Sequence, residues 1–403
     1  MRSKLTRILA LVLAAMMLFA LAACGQTQTE STESTETDES ATPIAEGETI
    51  KIGGLFNITG GQASLDEPSS KGFRLAIDEI NANGGINGHM LEGIIYDGKT
   101  EQTTCANQAT KMIDVDGVVA IGGLSDSNYA MAAGTVAQEA GVPILFSGAT
   151  TPSLCANIGD CAFLTPFGDD TDAYACAEYA YNDLGYTKCY MLIDQSMEFT
   201  TALAGYFQER FEELGGEIVL TDNYMNKDPD FSAQIDRYLA DNKGAEFMFF
   251  ASVPDDAGPL VSQYRAKGVD ATIISGDGFD TPLLWEVGGD ASEGVIVGTH
   301  CSFENPDEIM QAFVTSYTET FGVSPENAFA ALGYDCVKII AKAIEMCGDD
   351  ITPANVRNNL EQIQDFRIVT GSVSYSAENH VPAKSVSMLI VKDGAFSFLK
   401  EIG

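Results

Sequence analysis

The sequence predicts an α/β protein of two doubly wound, Rossmann-like lobes. Short β-branched or apolar runs alternate with amphipathic stretches of about 12 to 16 residues, and the alternation comes as two consecutive series. The chain has 403 residues, of which about 355 follow a polar N-terminal stretch, enough for two domains of ordinary size.

In the first series, residues 49–55 read as a strand, 69–81 as a helix and 91–96 as a strand. Helix 103–115, strand 118–121, helix 129–140 and strand 143–146 follow. The period switches from near-continuous apolar to 3.6 and back, as βαβ units on a parallel sheet require. A second series starts after Phe163-Leu164-Thr165-Pro166. It reads helix 170–184, strand 189–193, helix 201–214, strand 217–220, helix 231–241, strand 247–250, helix 256–267 and strand 272–274. Gly215-Gly216 and Gly268 are the expected helix stops. The remainder reads as helices 306–321, 328–347 and 353–360, then strands 368–375, 385–391 and 396–399. That tail is not a third lobe, so it must complete the first two and make them discontinuous: 49–165 with 299–383, and 166–298 with 384–403.

The N-terminus carries Arg2, Lys4 and Arg7, an apolar run over 8–20, and then Leu21-Ala22-Ala23-Cys24. The run is shorter than the roughly 20 apolar residues of a membrane span, so 1–23 reads as a secretory signal peptide. It resembles a bacterial lipoprotein leader, which implies cleavage after Ala23 and a diacylated Cys24; the plainer alternative is an ordinary signal peptide with an incidental cysteine. Residues 25–48 are mostly Thr, Ser, Glu, Gln and Ala, with seven acidic residues, no Lys or Arg and one large aliphatic residue, Ile44. Such a segment buries too little apolar surface to offset its ordering entropy, and 24–48 is expected to be a disordered, self-repelling spacer.

Formal net charge is −36, and loss of the three basic residues in 1–23 takes it to −39. That charge opposes binding to nucleic acid or adhesion to anionic lipid, both of which need basic patches. Solubility in an extracellular setting accounts for it. Eight cysteines remain after Cys24. Export permits disulfides, and Cys155 and Cys161, which bracket Ala-Asn-Ile-Gly-Asp, are the expected pair. His89, His300 and His380 are scattered and no C-x-x-C occurs, so no metal site is expected.

Catalytic templates are missing: no G-x-S-x-G, Walker A, G-x-G-x-x-G or H-E-x-x-H occurs. Loops after the predicted strands are instead rich in small polar residues, at 56–61, 122–127, 147–151 and 275–278. In open α/β sheets, ligands sit at the carboxyl ends of strands. Hydroxyls and helix N-terminal amides there suit a carboxylate, and an aspartate such as Asp277 suits an ammonium, so the loops suit a zwitterion. The same residue types are also ordinary caps and turns.

Lys51-Ile52-Gly53, Thr59-Gly60 and the run from Gly72-Phe73-Arg74 to Asn81-Ala82-Asn83-Gly84-Gly85-Ile86-Asn87-Gly88 resemble the start of the leucine/isoleucine/valine-binding protein family. These are type I periplasmic substrate-binding proteins of ABC importers. The likeness continues through Val118-Val119-Ala120-Ile121-Gly122, Ala140-Gly141-Val142-Pro143, Phe231-Ser232 and Ala328-Phe329-Ala330-Ala331-Leu332-Gly333-Tyr334-Asp335, and so spans 49–403. It implies a ligand cleft between two lobes joined by a multi-strand hinge. It implies that the ligand's carboxylate and amino groups meet Ser127, with Asp126 as the alternative, then Gly148 through its carbonyl, Thr150, and Asp277. An aromatic wall falls near Phe199. Where relatives often have Tyr-Gly before the first helix, this chain has Ser64-Leu65-Asp66-Glu67-Pro68, and Val253 stands where an aromatic residue often contacts ligand. Leu65 and Asp66 therefore bear on specificity, Asp66 either meeting a second positive group or serving as a helix-start acid.

The expected protein is an extracellular, lipid-anchored, monomeric receptor. It captures an amino acid or small zwitterion by cleft closure and delivers it to the permease and ATPase subunits of an ABC importer, without a cofactor and without nucleic acid. Rival readings are a ligand sensor feeding a signalling partner and an exported amidase or esterase.

Overall fold

The computed structural model describes residues 47–403 except 229. The expected signal peptide, the lipidated Cys24 and nearly all of the spacer lie outside the described residues.

Strand β1 (Ile50–Phe56) leads through helix α1 (Ala63–Ala82) to β2 (Leu91–Asp97). Helix α2 (Gln102–Lys111), β3 (Ala120–Gly123), α3 (Ser127–Ala140), β4 (Ile144–Phe146), α4 (Ser153–Ile158) and β5 (Ala162–Leu164) complete a first unit. Its five strands form one parallel sheet in the order β2-β1-β3-β4-β5.

The second series runs α5 (Asp169–Glu178), β6 (Lys188–Asp194), α6 (Glu198–Glu213), β7 (Glu217–Tyr224), α7 (Ser232–Ala240), β8 (Phe247–Ala251), α8 (Pro254–Ala266), β9 (Thr272–Ser275), α9 (Leu283–Glu286) and β10 (Ile296–Thr299). Helices α10 (Glu308–Phe321), α11 (Ala328–Met346) and α12 (Pro353–Leu360) follow, then β11 (Phe366–Ile368), β12 (Gly371–Val373), β13 (Val386–Lys392) and β14 (Ala395–Ile402). The second sheet is mixed, in the order β14-β13-β10-β9-β8-β6-β7, with β13 antiparallel to both β10 and β14. This is the expected pair of doubly wound α/β units, each sheet covered on both faces.

Period-2 alternation decides which core each side chain enters. Ile50, Ile52 and Phe56 join Phe73 of α1 and Val337, Ile340 and Ile344 of α11, while Leu55 faces Met112, Ala133 and Phe146 on the other side. In β6, Cys189 and Met191 pack with Phe207 and Phe249, whereas Tyr190 and Leu192 pack with Phe250 and Tyr264. Helices α1 and α11 cross at van der Waals closeness: a Cβ on Gly72 would strike the Ala330 carbonyl, and one on Gly333 the Ser69 carbonyl. Glycine at both positions lets the backbones meet.

Three expectations need correction. The first helix starts at Ala63, six residues before the expected 69, and runs through Pro68. Proline removes the N–H that would bond the Ser64 carbonyl, and Asn327 Nδ2 donates to that carbonyl instead, at 2.8 Å. The expected strand 368–375 is a hairpin, β11 paired antiparallel with β12. The buried Asp335 carboxylate fixes its turn by accepting from the Val369 and Thr370 amides and the Thr370 hydroxyl, at 2.8–2.9 Å. The expected Cys155–Cys161 bridge is not formed, and both are free, buried thiols. Cys155 packs into the core with Leu154, while the Cys161 amide is held at 2.9 Å by Gln138 Oε1. Burial pushes the thiols up, Cys155 to about 12 and Cys161 to about 11.

Candidate functional site

The loops after β1, β3, β4, β8 and β9 converge with the start of α6 and the first turn of α11 on a narrow, closed-up cavity with only about 10 Å³ of free space. Gln62, Leu65, Ser125, Asp126 and Thr150 line it from the first unit; Phe199, Val253, Pro254, Asp277 and Gly278 line it from the second, and Phe329 closes it. The rims also touch away from the cavity: Glu198 N donates to Asn128 Oδ1 at 3.2 Å, and Thr281 Oγ1 to Ser64 Oγ at 2.9 Å.

The β3 loop owes its aim to a strained backbone. Leu124 has φ +60°, which a bulky non-glycine residue rarely adopts. It is held there because its amide bonds the Leu55 carbonyl at 2.9 Å and its own carbonyl receives the Gly148 and Ala149 amides at 3.2 Å. The chain then turns so that Ser125 and Asp126 enter the cavity. Asp126 caps α3, accepting from the Asn128 amide at 2.9 Å.

Five of the eight sequence-derived ligand positions line this one cavity: Leu65, Asp126, Thr150, Phe199 and Asp277. Ser127, Gly148 and Asp66 do not. Ser127 is fully buried at the first position of α3, and its Oγ accepts from the Thr151 amide at 3.3 Å. Gly148 stands directly behind the lining, where a Cβ would lie 2.7 Å from both the Phe329 ring and Ser125 Oγ. Asp66, fully buried in the first turn of α1, accepts from the Asn57 amide at 2.7 Å through Oδ2.

Carboxylates dominate the electrostatics. Burial pushes Asp126 up to about 7, the neighbouring Asp66 adding to it. Asp66 itself is pushed up to about 6 by burial, against the lowering effect of Ser125 and the Asn57 amide. Asp277 is raised by burial and by Asp280 beside it. A second layer pins that loop. Asp172 Oδ2 accepts from the Asp277 amide at 3.0 Å, and Asp280 Oδ2 accepts from Thr299 Oγ1 at 2.6 Å and the Ala328 amide at 3.0 Å.

Sequence reasoning missed Gln62, Pro254 and Phe329 as lining residues, placed Ser125 and Gly278 only within the polar loops 122–127 and 275–278, and gave His300 no role. His300 Nε2 lies 2.9 Å from Asp277 Oδ2, with its ring against Phe167 and Phe329. Burial drives the imidazole down to about 3, so it is neutral. The five lining residues adjoin positions already singled out, a signal that adjacency could have supplied. For His300 no local signal exists, since it reaches Asp277 across 23 residues.

The cavity lies at strand carboxyl ends, where open α/β folds hold small ligands, with polar groups converging from two α/β units. The periplasmic binding protein family model matches residues 49–395. The chain belongs to that family. This binding protein is 26% identical to the leucine-, isoleucine-, valine-, threonine- and alanine-binding protein of Pseudomonas aeruginosa, over 81% of this chain and 86% of the relative. Its fold matches a leucine-binding protein of Thermotoga maritima with a TM-score of 0.82, 28% identity and coverage of 88% and 99% of the two chains. It likewise matches a branched-chain amino acid transporter substrate-binding protein of Streptococcus pneumoniae, solved with isoleucine, at a TM-score of 0.80, 29% identity and coverage of 87% and 98%. The family is one of solute-binding proteins of ABC transporters, so this protein is a binding protein and not an enzyme. No helix among the described residues is long and apolar enough to cross a membrane.

Proposed function

We propose that this protein is the lipid-anchored receptor of an ABC importer, held at the extracellular face of the cell membrane through Cys24. It captures an amino acid or related small zwitterion as a monomer and presents it to the permease. The carrying observation is the single cavity in which Asp126 and Thr150 from one side meet Asp277 and Phe199 from the other. An α-ammonium at Asp277 would turn the carboxyl-to-imidazole hydrogen bond with His300 into a carboxylate-centred one, and so would supply the charge that burial otherwise disfavours. Thr150 offers a hydroxyl to the α-carboxylate.

In this reading the lobes comprise about 49–165 with 299–383, and 166–298 with 384–403, with crossings near 164–166, 298–299 and 382–384. The ligand makes its full contact set only when both sides are together, which gives it differential affinity for the closed form. Native mass spectrometry of protein purified without refolding, followed by calorimetry with the twenty amino acids, tests the proposal. A co-purifying or titratable amino acid supports it; saturable binding of none of them overturns it.

A further inference from the structure

We propose that the ligand carries a second protonated amine besides its α-ammonium, the class of the diamino acids, and that Asp126 receives it. This rests on the amino-acid reading of the cleft and narrows it.

The lining carries two carboxylates, Asp126 and Asp277, and no Lys, Arg or His. His300, the neighbour of Asp277, is neutral and balances neither. A zwitterion with an apolar side chain brings one positive and one negative group. It satisfies Asp277 and leaves Asp126 facing either hydrocarbon or the ligand's own carboxylate. A site built around polar groups penalises a ligand that leaves them unpaired.

The hydrogen-bond inventory points to a donor-rich group in the same corner. One oxygen of Asp126 accepts from the Asn128 amide at 2.9 Å in the α3 cap, and the other lies at a long 3.5 Å from Gln62 Nε2. Ser125, 8% exposed and lining the same cavity, has an Oγ without a partner. Just behind it, Asp66 Oδ1 is also buried and unpartnered. The Ser125 hydroxyl has one hydrogen, which lowers the Asp66 carboxyl beside it; its lone pairs and the second Asp126 oxygen remain as acceptors, and an ammonium supplies three hydrogens. The apolar walls, Leu65, Val253, Pro254, Phe199 and Phe329, suit the methylenes between two amines.

Calorimetry on the mature, full-length protein in detergent, with L-ornithine, L-lysine, L-leucine and 1,4-diaminobutane as probes, tests this. L-ornithine or L-lysine should bind at least about tenfold more tightly than L-leucine, the scale of a charge-assisted hydrogen bond. Asp126→Asn keeps an N-cap; it should weaken the diamino acid about tenfold or more and bring it within about threefold of L-leucine. Ser125→Ala, which leaves the cap untouched, should weaken the diamino acid in the same direction and serves if the Asn variant does not fold. L-leucine binding as tightly as the diamino acids, or a diamino acid indifferent to both substitutions, overturns the proposal and leaves the amino-acid reading standing. Diaminobutane matching L-ornithine keeps the two-amine site and overturns the amino-acid reading. Binding of no probe overturns the diamino-acid proposal and leaves the amino-acid reading to the titration with the twenty amino acids.

Discussion

His300 Nε2 and Asp277 Oδ2 lie 2.9 Å apart in a pocket that leaves both residues essentially without solvent. The pair stands at the cavity wall, and each partner is driven by burial toward its neutral form. A cation entering the cavity therefore meets an acid whose charge the protein has not already matched.

Removing one member of a buried charge pair costs about 2–5 kcal/mol, or roughly 30- to 5,000-fold in affinity. Asp277→Asn is accordingly expected to weaken amino-acid binding by at least about 30-fold. Melting of the ligand-free variant should not fall, because the carboxyl it replaces is disfavoured in its charged form. Calorimetry and a thermal melt decide it, and an Asn variant binding within about threefold of the native protein removes Asp277 from the site.

Stability should fall with rising pH. Asp66 and Asp280 titrate at about 6 and Asp126 at about 7 in the folded protein, each raised chiefly by burial, against about 4 in an unfolded chain. A raised acid binds more protons when folded than unfolded, so its contribution is complete below pH 4 and is lost as pH climbs through the folded value. Between pH 5.5 and 8 the ligand-free melting temperature is expected to drop. A melting temperature that rises over that interval would show these carboxyls are solvated.

Cys105, Cys155, Cys161, Cys176, Cys189, Cys301, Cys336 and Cys347 are all free, and all but Cys347 are buried. Thiol titration of the mature protein is expected to find eight reactive groups in denaturant without reductant. In the native state most should react slowly, since burial raises the thiols. A count of six in denaturant would restore one disulfide.

Ligand should also compact the molecule. The contacts Asn128–Glu198 and Ser64–Thr281 join the two sides at the rim, and relative motion of two such units is the default expectation. Small-angle scattering at saturating ligand is expected to give a smaller radius of gyration than ligand-free protein. Superimposable curves would replace closure with a rigid pocket.

The alternation of apolar runs and amphipathic stretches was enough, by itself, to determine the two α/β units, because each element's period is a local property of the chain. The loops that reach the cavity were legible for the same reason: Ser125, Asp126, Thr150 and Asp277 all follow strands in chain order. Tertiary structure alone decided the rest. Pro68 reads as a helix boundary until Asn327, 263 residues beyond Ser64, takes the carbonyl that proline leaves free. Ser127 is the expected contact in sequence and Asp126 the alternative, and the αL turn at Leu124 points Asp126 into the cavity while burying Ser127 behind it. His300 has no motif, yet the packing of Phe167 and Phe329 around its ring sets it against Asp277. A side chain's charge and partners depend on what surrounds it, and in a doubly wound fold those surroundings come from strands far apart in sequence.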